Sequence, residues 1–148
     1  MLAAPAIVAA DGQWATLSQG TTCEAASKSV GAPARGRPPA RVSLAFDAGG
    51  PRHGQLAVRL GRIPRAGATV MLHIGDQPFL LMAQGDMAWS RGPKQEQAII
   101  AAMRVKGGMR IDARSPGGGR IVDRYSLNGA PLAIDAAAAC AAAQASRP

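Results

Sequence analysis

Between residues 41 and 60, apolar side chains fall at every second position. Val42, Leu44 and Phe46 do so in ARVSLAF, then Leu56, Val58 and Leu60 in GQLAVRL. Successive side chains of an extended chain point to opposite sides, so a period of two requires a strand with one buried face and rules out a helix there. DAGGPRHG between the two runs supplies turn chemistry, as does GRIPRAGA after them. TVMLHIGDQPFLLM repeats the pattern: Val70, Leu72 and Ile74 alternate, Gly75-Asp76-Gln77 turns, and Phe79 to Met82 returns. MRIDA and RIVDRYSL predict a further hairpin across Ser115 to Gly119, with Ile121, Asp123, Tyr125 and Leu127 on one face. QWATLSQGTTCEAAS reads as two short strands around Gln19-Gly20, and MAWS as one more. KSVGAPARGRPPA, rich in proline and glycine, cannot sustain a ladder and is a loop.

Two stretches switch to helical spacing. In SRGPKQEQAIIAAMR, Pro93 suits a first turn, Glu96 lies early, Ile99, Ile100 and Met103 share a face, and Gly107-Gly108 stops the run, which predicts a helix over about 93–104. In YSLNGAPLAIDAAAAC, Asn128 is the expected cap and Pro131 falls in the first turn of a helix over about 129–143. Its predicted inward stripe is Leu132, Ala136, Ala139, Cys140 and Ala143.

The expected fold is therefore mainly β: an antiparallel β-sandwich with two peripheral helices, forming one domain over 11–145. The 148 residues suit a single core that buries roughly two-thirds of the unfolded surface. Aromatic residues make up 3% of the chain, so Trp14, Phe46, Phe79, Trp89 and Tyr125 must anchor a core of smaller aliphatic side chains. Residues 1–10, MLAAPAIVAA, are small and apolar and read either as a signal-peptide remnant or as a disordered N-terminus. No stretch has the length needed to span a bilayer.

The formal charge is +8, carried largely by arginine. A basic surface attracts nucleic acid, anionic lipid or acidic glycans. Specific nucleic-acid recognition is not expected, because no recognition helix, zinc module or aromatic stacking platform accompanies the charge. Arg41, Arg59, Arg120 and Arg124 alternate outward on their strands and are the candidate binding residues. Anionic lipid, lipopolysaccharide or an envelope or host protein would suit them as partners.

The chain has two cysteines, Cys23 and Cys140, with no CxxC spacing and no cluster of histidines to complete a metal site. Two readings follow: buried free thiols, or a disulfide tying the first strands to the last helix. The disulfide is the expected one. It would close a loop of over 100 residues, worth about 4 to 5 kcal/mol in the chain-entropy account, and would imply an oxidising compartment.

Enzyme signatures are missing: there is no G-x-S-x-G, no H-E-x-x-H and no phosphate-binding lysine beside SPGGGR, which reads as a flexible hairpin tip. No cofactor is implied. His73, on the polar side of its strand, and Asp123, on the apolar side of its own, are the candidates for an alternative reading as a small periplasmic hydrolase. Asp123 needs a partner if buried, and a structural ion pair with Arg104 is expected; Arg110 is the other cation within reach. His53 falls in a turn.

Several pieces in this order resemble the invasion-associated locus B family: Trp14 in DGQWATL, Cys23 in TTCEA, VMLHIGDQPFLLM, AWS before a helix, AIIAAMRVKGGMRIDA, and IVDRYSLNGAPLAIDAAAAC. The resemblance covers about Trp14 to Cys140, and DRYSLNGAPLAI is its most specific part. It implies a compact antiparallel β-sandwich exported to the periplasm or outer membrane of Gram-negative bacteria, with no catalytic residues to carry over. Members often carry a cysteine shortly after the first tryptophan, whereas none follows Trp14 here before Cys23. A Cys23 to Cys140 bridge is compatible with the same layout. The resulting expectation is a non-enzymatic, periplasmic or secreted binding module.

Overall fold

The computed structural model describes residues 5–146. In chain order the elements are β1 (Ala6–Asp11), β2 (Trp14–Gln19), β3 (Thr22–Lys28), β4 (Arg41–Asp47), β5 (His53–Arg59), β6 (Met71–Ile74), β7 (Gln77–Leu80), β8 (Met82–Gln84), β9 (Met87–Trp89), α1 (Pro93–Val105), β10 (Gly108–Arg114), β11 (Arg120–Ser126) and α2 (Ala130–Ala145). They form two antiparallel sheets: seven strands ordered β1-β2-β3-β4-β5-β9-β8, and four ordered β11-β10-β6-β7. The expected mainly β, sandwich-like fold with two helices is thus present.

The inner face of the large sheet is set by register. Val42, Leu44 and Phe46 pair with Ser27, Ala25 and Cys23 on one side, and Val42 and Leu44 pair with Val58 and Leu56 on the other. Leu72, Ile74, Ile111, Ile121 and Tyr125 supply the inner face of the small sheet, all essentially buried. α2 packs over β1 to β4, while α1 packs against β5, β6 and β7. Burial of this aliphatic set, at roughly 1.5–3 kcal/mol per large side chain, is the main favourable contribution.

α1 starts on a buried polar relay. Ser90 Oγ accepts the Leu56 N–H at 3.0 Å and donates to Glu96 Oε2 at 2.5 Å. That satisfies a carboxylate that is 9% exposed, and it places negative charge in the first turn, where the helix dipole favours it.

Four sequence expectations need correction. Residues 6–10 are not disordered: they belong to β1, which pairs with β2 from Ala6↔Ser18 to Asp11↔Trp14. The rest of that expectation, residues 1–4, lies outside the described residues. The expected return strand Phe79 to Met82 ends earlier, because Met82 belongs to β8, which leaves β7 and pairs with β9 in the other sheet. Asn128 does not cap α2, because Gly129 occupies that position at φ 92° with no side-chain cap. Finally, α2 turns inward through Ala130, Ala133, Ile134, Ala137 and Ala141, while Leu132 is 55% exposed. Cys140 lies half-buried beside that stripe rather than within it.

Cys23 and Cys140 form a disulfide with Cα atoms 6.1 Å apart. It fastens the C-terminal half of α2 to β3. Thr16 Oγ1 donates to the Ala133 carbonyl at 2.9 Å, fixing the other half, and Trp14 Nε1 donates to the Ser126 carbonyl at the end of β11 at 2.8 Å. Where α2 begins, a Cβ on Gly129 would stand 1.9 Å from the Asp11 carbonyl oxygen, so only glycine lets the β1–β2 turn seat against the helix start.

Candidate functional site

Outward-facing positions on the small sheet carry the chemistry. The register places His73 of β6 opposite Arg110 of β10, and Arg110 opposite Arg124 of β11. Three basic side chains therefore stand in one row across three adjacent strands, where directly opposed like charges disfavour the sheet. A neighbouring row supplies one acid. Asp112 Oδ2 lies 2.9 Å from Arg110 Nε and 3.2 Å from His73 Nε2, and its Oδ1 lies 3.2 Å from Arg120 Nη2. One carboxylate thus serves three basic groups. Arg124 is exposed and makes no ion pair among the described residues. Beside it, a shallow concavity of about 240 Å³ is lined by His73, Gly75, Gly108, Arg110 and Arg124 among others.

The four arginines expected to share one binding face are divided between the sheets. Arg124 belongs to the row just described, while Arg120 stands opposite Arg114 and reaches Asp112 from outside that row. Arg41 and Arg59 lie opposite one another on the outer side of the large sheet, with Lys28 facing Arg41 from β3. Arg41 pairs with Glu24, and Arg59 Nη2 donates to the Pro39 carbonyl at 3.2 Å. Each sheet consequently presents a row of three basic residues, and the basic surface is two faces rather than one.

Asp123 is not the partner of Arg104. It lies on the inner side of its strand, opposite Ile111, and its Oδ2 accepts the Gly61 N–H at 2.9 Å. Burial pushes its carboxyl above the ordinary range, against the Gly61 hydrogen bond and the charge of Arg62. Arg104 instead reaches Asp135 on α2, Nη2 to Oδ1, at 2.7 Å, and that hydrogen bond holds Asp135 below its usual value. A single backbone donor thus does what an ion pair was expected to do.

His73 and Asp123 occupy opposite faces of the small sheet, since Leu72, Ile111 and Asp123 align in register on the inner side. They do not converge on a common reaction centre. His53 is exposed at the start of β5. The SPGGGR tip binds itself: Ser115 N–H donates to Gly119 and Gly118 N–H to Ser115, at 2.8 and 2.9 Å. Those amides are therefore turned inward, not toward an anion.

Sequence reasoning missed Asp112 and Lys28 and named Arg110 for another role. The alternation in MRIDAR marks Arg110 and Asp112 as outward, but their neighbours follow from strand register alone. Among the described residues, no helix is long and apolar enough to cross a membrane. The structure defines a disulfide-clasped, mainly β domain with a basic row on each sheet. No family model, curated protein or solved structure matches the chain.

Proposed function

We propose that this chain is an exported, non-enzymatic binding protein of the invasion-associated locus B type, periplasmic or secreted. On this reading the small sheet's outer face docks onto a phosphate-bearing anionic surface of the cell envelope. The observation that carries the proposal is the row His73, Arg110 and Arg124. Arg110 and Arg124 stand directly opposite, where like charges disfavour the sheet, and the nearby Asp112 pairs with Arg110, His73 and Arg120 but not with Arg124, which faces outward for an anion. The disulfide supports the compartment, because such bonds persist in oxidising environments.

The test is co-sedimentation with vesicles of phosphatidylglycerol, using phosphatidylcholine vesicles as the neutral control. Each basic residue near an anionic surface contributes about 1 kcal/mol. Arg124→Glu reverses one charge and is expected to weaken binding by about 2 kcal/mol, roughly 30-fold at low ionic strength. Equal binding to both vesicle types, or no effect of Arg124→Glu, would defeat the proposal.

A further inference from the structure

The outer face of the large sheet carries a second arrangement. Ala15, Ala26, Ser43, Ala57 and Trp89 stand directly opposite one another, strand by strand, across β2, β3, β4, β5 and β9. Small side chains in four consecutive strands leave a trough at right angles to the strands, and a half-buried indole closes one end. With adjacent strands about 4.8 Å apart, the trough runs roughly 19 Å. Along one flank stand Lys28, Arg41 and Arg59, each two residues from the floor residue of its strand and in register with one another. The opposite flank includes Leu17 and Glu24, of which Glu24 is committed to Arg41. A concavity of about 330 Å³, lined by Ala15, Leu17, Ala26, Lys28 and Arg41 among others, opens at the far end from Trp89. Arg59 Nε is buried on this flank without a hydrogen-bond partner among the described residues. An unpaired guanidinium donor of that kind calls for an acceptor.

We infer that this trough is a binding groove for a linear anionic glycan. Its length exceeds a single sugar, and its floor is lined by small side chains, buried at Ala26 and Ser43 and half-buried at Ala15 and Ala57. Trp89 offers a flat apolar surface to the C–H face of a pyranose ring. The basic flank is complementary to a chain that bears a carboxylate on each sugar, and Ser43 adds a hydroxyl to the floor. An isolated anion would use the basic flank without needing either the trough or the indole.

The experiment is isothermal titration calorimetry with a galacturonate hexamer, the galacturonate monomer and a neutral glucose hexamer. The acidic hexamer is expected to bind saturably and the other two at least about tenfold more weakly. Trp89→Ala is expected to reduce hexamer affinity by about tenfold, the equivalent of 1.4 kcal/mol. Ser43→Leu, which fills the trough, is expected to abolish binding, with circular dichroism checking that the sheet persists. Trp89→Ala sits at a half-exposed site and keeps the test decisive if Ser43→Leu unfolds. Arg124→Glu, on the other sheet, must leave glycan binding unchanged, which separates this groove from the vesicle-docking face. Equal affinity for monomer and hexamer, equal affinity for the neutral hexamer, an unaffected Trp89→Ala variant or no binding at all would each overturn the inference.

Discussion

Reducing the Cys23–Cys140 bond without changing any residue isolates what the cross-link contributes. The bond spans 117 positions. The chain-entropy relation then gives about 5 kcal/mol at 25 °C, which lowers the melting temperature by roughly 10–20 °C for a domain of this size. Reduction leaves the Cys23 sulfur in its fully buried position, so the loss reports the constraint and not a cavity. The measurement is urea unfolding of oxidised and reduced protein, followed by tryptophan fluorescence, to which Trp14, 1% exposed, and the half-buried Trp89 both contribute. A Cys23→Ala, Cys140→Ala variant should fall below the reduced protein by up to about 1 kcal/mol more, because a buried sulfur is then missing as well. Stabilities of oxidised and reduced protein within about 1 kcal/mol would refute the reasoning. Free alkylation of both thiols in the unreduced, unfolded chain would do so too.

Two further outcomes follow from local geometry. Gly129→Ala should destabilise by at least about 2 kcal/mol in thermal unfolding, despite alanine's better helix propensity, because the new Cβ meets the Asp11 carbonyl and the backbone holds φ 92°. A neutral or stabilising result would mean that the β1–β2 turn does not seat there. Asp47 is held at about 2 by the Arg52 hydrogen bond, supported by Thr22. Because its folded value lies below the unfolded one, its contribution is complete above about 4 and is lost as pH falls toward 2. Arg52 is 42% exposed, so screening limits that contribution to about 1 kcal/mol. Asp47→Asn should remove this pH-dependent increment in denaturation curves; identical pH profiles for the two proteins would count against it.

Much of the fold can be read from alternation, because β4, β5, β6 and β10 each have one fully buried face, and β11 has one broken only by the half-buried Asp123, so all repeat with period two. α1 was legible for a similar reason, its buried Ile99 and Met103 falling at helical spacing behind a polar first turn. α2 was located correctly but rotated, since alanine on nearly every side leaves no contrast to show which stripe faces the sheet. What turns Ala133 and Ala137 inward is tertiary: the disulfide, Thr16 on the Ala133 carbonyl and the glycine contact at the helix start. β1 was missed because AIVAAD does not alternate and is exposed nearly throughout. Its strand state comes from pairing with β2.

The candidate site was legible residue by residue but not as an arrangement. Alternation shows that Arg41, Arg59, Arg110 and Arg124 point away from the core. Whether any two are neighbours depends on register between strands distant in sequence, and β11 lies 47 residues beyond β6 counted from Ile74 to Ile121. Asp123 illustrates the same limit, since the donor that satisfies it is a backbone amide 62 positions away.

The central claim is that the row His73, Arg110 and Arg124 exists to meet an anionic surface. Its most direct test is the affinity for phosphatidylglycerol vesicles measured across ionic strength, for the wild type and for Arg124→Glu. The account predicts wild-type binding that falls steeply as salt shortens the screening length to about 8 Å at physiological strength. It also predicts a charge-reversed protein that is weaker at low salt and converges on the wild type at high salt. Two superimposable, salt-insensitive curves would contradict it.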